Sequence, residues 1–299
     1  MEGPVLLKGS PVASLIYKEV ETEVKTLQAH GVVPGLALVI VGNEAASEQY
    51  FLTTKTISSK LGINNFPYRL PEDSSVNEVL NLIKSLNSDE RISGILVFLP
   101  LPGHIEPRMV LNAVASDKDV DGLGAISIGR MASEESTYQL FSPEQGVKNT
   151  FLPCTPYGVI RLLEHYGIGI EGKDVVIVGK SLTVGKSLAL MMLAKGATVT
   201  VCHKQTRNLA EKTRTADILC VAAGKPGLIK EDMVKDGAVV VDIGINSLPD
   251  GRFVGDVDFD NVAKKASYIT PVPGGVGPVT IAILLKNTVI SAKKMFNIL

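Results

Sequence analysis

The chain has 299 residues, 45% of them hydrophobic and 20% charged, with a net charge of −1. That length predicts two domains and burial of roughly 75% of the unfolded surface, so folding needs neither a disulfide nor a structural metal. The near-neutral charge argues against nucleic acid or an anionic membrane as partner and leaves room only for a local anion site.

In chain order, Pro11 to His30 carries apolar residues at helical spacing (Val12, Ile16, Val20, Val24, Leu27), with Ser10-Pro11 read as cap and first turn. Leu36 to Val41 reads as a buried strand ended by Gly42-Asn43, Ala46 to Leu61 as a helix stopped at Gly62, and Phe66 to Leu70 as a second strand. A helix over Ser75 to Asn87 and an apolar strand over Ile92 to Leu99 complete this half. Met131 to Pro153 is irregular and reads as a surface connection. A helix follows over Pro153 to Tyr166, with Thr155 as its cap and Pro156 in its first turn. The second half alternates more cleanly: strands at Asp174 to Val178, Thr198 to Cys202, Ile218 to Ala222, Ala238 to Ile243 and Ile269 to Thr270. Helices are expected over Val184 to Ala194, Leu209 to Thr213 and Gly275 to Met295. The alternation implies an α/β protein whose two domains hold mostly parallel sheets, the second Rossmann-like.

Cys154, Cys202 and Cys220 form no C-x-x-C pair, so they read as buried small hydrophobes, and no metal site is expected. No apolar run is read as a membrane span and the N-terminus carries no signal pattern, so a cytoplasmic protein is expected.

The segment VVIVGKSLTVGKSLALMML sets Gly179 directly after an apolar strand and Gly185 at the start of the next helix. Gly179 permits a tight turn, Gly185 lets helix and sheet approach, and the amides of Lys180, Ser181 and the helix start can face a phosphate. The spacing departs from G-x-G-x-x-G, so the strand–loop–helix context carries this reading. The next strand ends in Cys202-His203-Lys204, where an NAD site commonly has an acidic residue for the ribose 2′-hydroxyl. Lys180, Lys204 and His203 suit a 2′-phosphate instead, which favours NADP over NAD.

Five further segments carry a resemblance: DKDVDGLG (117–124), FLPCTPYGVIRLLE (151–164), VVVDIGIN (239–246), VGDVDF (254–259) and YITPVPGGVGPVT (268–280). On these the chain resembles the methylenetetrahydrofolate dehydrogenase/cyclohydrolase family over nearly its whole length. The resemblance implies hydride transfer from 5,10-methylenetetrahydrofolate to NADP, then hydration of the methenyl product to 10-formyltetrahydrofolate. It also implies a homodimer of two-domain subunits, with a folate domain of residues 1–150 plus 275–299 and a cofactor domain of residues 151–274. Carried over by position, the catalytic candidates are Tyr50, Thr54 and Asp121. The folate candidates are Tyr50, Val97, Phe98, Leu99, Asp121, Pro273, Gly274, Gly275, Val276 and Gly277. The cofactor candidates are Thr155, Gly179, Lys180, Ser181, Val184, Gly185, His203, Lys204, Thr206, Gly224 and Ile245.

The chain departs from the family at two cleft positions. Thr54 stands where the family has lysine four residues after Tyr50, and Phe98 stands where it has glutamine before Leu-Pro. Lys55 is adjacent, but one residue turns a helical side chain by about 100°. Phe98 can stack on a flat heterocycle but cannot orient water. In the nucleotide loop, Lys180 and Ser187 stand where the family usually has arginine or a small residue and proline. Hydride transfer needs mainly positioning, whereas hydration needs proton transfer. The expectation is therefore a dehydrogenase with weak or absent cyclohydrolase activity. The alternatives are the bifunctional enzyme, a non-catalytic folate- or nucleotide-binding paralogue, and a dehydrogenase for a modified pterin.

Overall fold

The computed structural model describes residues 3–133, 141 and 150–298. Most of the irregular connection expected over Met131 to Pro153 lies outside them. The chain divides into two compact units. Among the described residues one comprises 3–13 and 155–280, the other 14–133, 141, 150–154 and 281–298.

The second unit is built on a three-stranded parallel sheet. Its strands are β2 (Gly35–Val41), β3 (Asn64–Leu70) and β4 (Gly94–Val97), in the order β3-β2-β4. All seven residues of β2 are buried, as a central strand covered on both faces requires. Ala37, Val39 and Val41 share one face with Ile95 and Val97 and pack with Val79, Ile83 and Leu86 of helix α3 (Val76–Ser88). The alternate residues Leu36, Leu38 and Ile40 are equally buried on the other face. Helix α3 begins in a capping box: Ser75 accepts from the Glu78 amide at 3.2 Å, and the Glu78 carboxylate accepts from the Ser75 amide at 2.7 Å. Helix α2 (Ala45–Lys60) is capped by Glu44, whose carboxylate accepts from the Ser47 amide at 2.7 Å.

The first unit holds a six-stranded sheet, all of whose pairings are parallel. Its strands are β1 (Val5–Leu6), β5 (Asp174–Val178), β6 (Thr198–Cys202), β7 (Ile218–Val221), β8 (Val239–Asp242) and β9 (Tyr268–Ile269). The order β1-β9-β8-β7-β5-β6 places β6 and β7 on opposite sides of β5. This reversal is the switch point at which doubly wound sheets bind ligands, outside the carboxyl ends of the strands. The fold is thus the expected α/β pair of mostly parallel sheets with a Rossmann-like unit.

Several local expectations need correction. The first helix spans Gly9–Ala29, so Ser10-Pro11 lies inside it. The helix expected from Pro153 spans Cys154–His165 and includes Thr155, whose hydroxyl accepts from Thr280 Oγ1 at 3.3 Å rather than capping the helix. The helix expected from Val184 starts as a π-helical turn, Leu182–Lys186, and becomes α-helical at Ser187. The closing helix, Val276–Met295, is 20 residues long and apolar enough to span a bilayer by length and composition, which the sequence reading overlooked. Its apolar window is 72% buried inside the protein, and Lys286 and Lys293 on it pair with Glu19 and Glu23 at 2.5 and 2.7 Å.

Candidate active site

At the end of β5, Gly179 adopts φ 136°, and its amide donates to the Cys202 carbonyl at 2.8 Å. A Cβ there would run into the Ala222 carbonyl at the end of β7, and a Cβ on Gly185 would overlap the Gly179 carbonyl. Only glycine at both positions lets strand, neighbouring strand and helix start come this close. The contact widens the first turn, where the Lys186 amide reaches back five residues to the Ser181 carbonyl at 2.9 Å. Ser181 Oγ accepts from the Val184 amide at 3.3 Å. The amides of Lys180 and Ser181 meet no protein acceptor among the described residues, and both residues are exposed. A turn with outward amides at a helix start is an anion cradle.

At the end of β6 the loop is tied by its own polar groups. The His203 amide donates to Thr206 Oγ1 at 2.8 Å, and the Thr206 amide to the His203 carbonyl at 2.8 Å. His203 Nδ1 lies 2.8 Å from Gln205 Oε1. Thr206 therefore shapes the loop, while Lys204 is left exposed. Gly224 follows β7, and Ile245, 57% exposed, follows β8. In the same unit, the amide of Gly9 donates to the Gly274 carbonyl at 2.8 Å, which anchors the Pro273-Gly274-Gly275 turn. Pro273, Gly274 and Gly277 are exposed; Gly275 and Val276 are buried.

In the other unit, Ser47, Phe51, Thr54 and Ser58 form the buried face of α2. Ser47 Oγ donates to the Leu99 carbonyl at 2.9 Å, pinning the helix start to the end of β4. Tyr50 meets Phe98 edge to face, with centroids 5.4 Å apart and planes at 71°. Phe51 packs on the same ring at 5.4 Å, and the Arg69 guanidinium covers Phe51 at 4.3 Å while holding Glu48 at 2.7 Å. Phe98 is 2% exposed and Val97 4%. Thr54 is fully buried, and its hydroxyl has no hydrogen-bond partner among the described residues. Lys55 is exposed, as one step around the helix demands.

The DKDVDGLG segment divides its labour. Lys118 Nζ donates to the carbonyls of Leu86 and Asp89 at 3.1 and 2.8 Å, capping the end of α3. Asp119 accepts from the amides of Leu123 and Gly124 and from Ser127 Oγ at 3.2, 2.9 and 2.6 Å. Asp121 is half-buried, and among the described residues its carboxylate ties down no backbone amide. Burial first, and the Asp119 charge second, raise it to about 7, with the neighbouring Cys154 thiol offsetting part of this. Burial and then Asp121 push the Tyr50 hydroxyl well above its ordinary value, so it stays a donor. Asn287 Nδ2 donates to the Val120 carbonyl at 2.8 Å and lies 3.5 Å from Cys154 Sγ, fixing the backbone beside Asp121.

Two family models match the chain. The catalytic domain of tetrahydrofolate dehydrogenase/cyclohydrolase matches residues 7–121, and the NAD(P)-binding domain of the same family matches residues 153–296. The chain belongs to the tetrahydrofolate dehydrogenase/cyclohydrolase family. The bifunctional protein FolD of Moorella thermoacetica is 47% identical to it, over 97% of this chain and 99% of that one. Among solved structures, the bifunctional FolD of Campylobacter jejuni is 46% identical with a TM-score of 0.88, covering 97% of this chain and 99% of that one. The Trypanosoma brucei FolD, solved with NADP cofactor and an inhibitor, is 36% identical with a TM-score of 0.89, covering 98% and 99%.

Within this tetrahydrofolate dehydrogenase/cyclohydrolase chain the cofactor candidates collect at the carboxyl edge of the six-stranded sheet, except Thr155, which is engaged with Thr280. Tyr50 and Phe98 meet, and Asp121 acts on Tyr50, in the unit that carries the catalytic-domain match. The Pro273-Gly274-Gly275 turn belongs to the unit with the NAD(P)-binding match. Cys154 is buried, as the sequence predicts, whereas sequence reasoning missed Asn287, Asp242 and Asp256 as buried supports. Asp242 and Asp256 sit in the segments that carry the resemblance, which was the available signal; Asn287 had none.

Proposed function

We propose that the protein oxidises 5,10-methylenetetrahydrofolate to 5,10-methenyltetrahydrofolate with NADP as hydride acceptor. The observation that carries this reading is the half-buried Asp121 beside the half-buried Tyr50, in a chain whose other unit keeps an intact dinucleotide loop. Bound NADP would be the acceptor of one hydride from the methylene carbon, and the folate nitrogens would delocalise the resulting cation, so no further oxidant would be needed. NADP supplies the redox chemistry when bound. The exposed amides of Lys180 and Ser181 suit the pyrophosphate, and Lys180 and Lys204 suit a 2′-phosphate. The ionised Asp121 would accept N–H bonds from the pterin edge and Tyr50 would donate, with the buried Phe98 ring holding Tyr50 from behind.

The bifunctional names of the Moorella and Campylobacter relatives support a second reaction, hydration of the methenyl bridge to 10-formyltetrahydrofolate. With threonine at 54 and phenylalanine at 98, the proton transfers of that step would fall to Asp121, whose pKa of about 7 suits a general acid/base near neutral pH. A second reading, dehydrogenase with hydration weak, is favoured by one observation: the buried face holds the unpartnered Thr54 hydroxyl and the Phe98 ring, neither able to activate water. One assay separates the readings. NADPH formation from methylenetetrahydrofolate is followed together with methenyl absorbance. Methenyl that accumulates stoichiometrically with NADPH supports the second reading; methenyl that disappears faster than in buffer supports the bifunctional one. Cofactor binding without NADPH formation overturns both in favour of a non-catalytic paralogue. We also propose the homodimer that the family resemblance implies, with sedimentation as its test.

A further inference from the structure

Two loops at the carboxyl edge of the six-stranded sheet are tied down by carboxylates that the proposed reaction does not use. Asp256 is fully buried. It accepts from three successive amides on the loop leaving β7: Ala223 at 2.5 Å, Gly224 at 2.9 Å and Lys225 at 2.8 Å. It also accepts from Asn246 Nδ2 at 2.9 Å, on the segment leaving β8. Behind it stands Asp242, the last residue of β8 and 4% exposed. Asp242 accepts from the amides of Gly244 and Asp256 at 3.0 Å and of Val257 at 2.9 Å. Its own amide donates to Thr270 Oγ1 at 2.7 Å. The packing is reciprocal: a Cβ at Gly244 would overlap the Asp256 carboxylate, and one at Gly255 would overlap that of Asp242.

Successive amides pointing one way ordinarily receive a ligand anion. Here the protein's own carboxylate fills that place, so the loop is a fixed wall. Its location says what the wall faces. The 2′-phosphate end of the cofactor is assigned to β6 through Lys204, and the pyrophosphate to the Gly179 turn on β5. The remaining nucleoside is left with the far side of the switch point, where β7 and β8 end. Gly224 and the exposed Ile245 stand on the two tied loops, Ile245 as an apolar platform one residue before the anchored Asn246.

We propose that Asp256, backed by Asp242, is a positioning residue for the nicotinamide half of the cofactor: it holds the Gly224 and Ile245 loops where they orient the ring for hydride transfer. The proposal rests on the NADP reading above. Misplacement of a reacting group by about 1 Å costs on the order of 10²-fold.

The test compares wild type with Asp256→Asn and Asn246→Ala. It measures steady-state kinetics with NADP and, separately, binding of 2′,5′-ADP, which carries the 2′-phosphate but no nicotinamide. In Asp256→Asn we expect kcat/KM for NADP to fall roughly 10²-fold, with kcat itself lowered and 2′,5′-ADP affinity within about twofold of wild type. Asn246→Ala removes one of the four bonds and should lower kcat about fivefold, again sparing 2′,5′-ADP; it carries the test if the first variant fails to fold. Equal losses for NADP and 2′,5′-ADP would mean a merely structural role and overturn the proposal, as would unchanged NADP kinetics in both variants. If wild type binds neither ligand, the cofactor reading falls and takes the proposal with it.

Discussion

In the nucleotide-binding unit, the loop groups set to meet a ligand are mostly backbone amides, held by Gly179, Gly185 and the turn between them. In the catalytic-domain unit they are side chains, Tyr50 and Asp121, with the buried Phe98 packed against Tyr50. The difference explains why departures from the family pattern weigh so unequally. Lys180 and Ser187 leave the amide cradle in place, and Ser187 is absorbed by a bond to the Leu182 carbonyl at 2.5 Å. Thr54 and Phe98 change side chains buried behind Tyr50 and along its helix. A site made of backbone tolerates substitution while its glycines remain; a site made of side chains changes chemistry with each one.

The sharpest way to break this contrast is to restore the family residues. Thr54→Lys combined with Phe98→Gln should raise hydration of methenyltetrahydrofolate by 10²–10⁴-fold, the usual contribution of a general acid/base. NADPH formation should change much less. No gain in a stopped-flow assay of methenyl decay would mean that hydration already runs by another route, with Asp121 the first group to examine.

Asp121→Asn comes next in expected size. A hydrogen bond to a charged group is worth about 1.5–3 kcal/mol, so kcat/KM for the folate should drop roughly 10²-fold while NADP affinity holds. Wild-type kcat/KM should rise with pH through about 7 as the carboxylate forms, and the variant's profile should be flat there. Stability runs the other way. The folded pKa lies above the unfolded one, near 4, so the stabilisation is full below about pH 4 and lost as pH rises through about 7. Urea titrations across that range should show a slope in wild type that is reduced in the variant.

Gly185→Ala probes the backbone side. Its Cβ would overlap the Gly179 carbonyl, and overpacking of this kind costs about 1–3 kcal/mol. Calorimetry should show lost stability together with weakened binding of any dinucleotide. Smallest is Lys204→Ala: an exposed charge contact is worth about 1 kcal/mol, so NADP affinity should fall several-fold and NAD affinity should not move. An equal loss for both would remove Lys204 from the 2′-phosphate.

Legibility in the sequence followed the same division. Asp174–Val178 and Thr198–Cys202 were read to the residue because alternating strands and glycine turns are local signals. Helices Pro107–Ala113 and Ala125–Ser133 were missed, the first too short for a clear apolar period and the second beginning among glycines. Val5–Leu6 is a strand only because Tyr268–Ile269 lies beside it, a pairing that no local window contains. At the site, the motif singled out Asp121 as a candidate, but did not show that Asp119 and Lys118 are spent on loop and helix ends. The buried, unpartnered state of Thr54 follows from packing and has no trace in its neighbours.

The reciprocal fit of Gly244 on Asp256 and Gly255 on Asp242 has an evolutionary consequence. Adding a side chain at either glycine strikes a buried carboxylate, and removing either carboxylate strands backbone amides. Each single step away is therefore penalised before a second could compensate for it. Among descendants that keep the cofactor, these four positions should be inherited as a block, varying together or not at all, while the surface around them drifts freely.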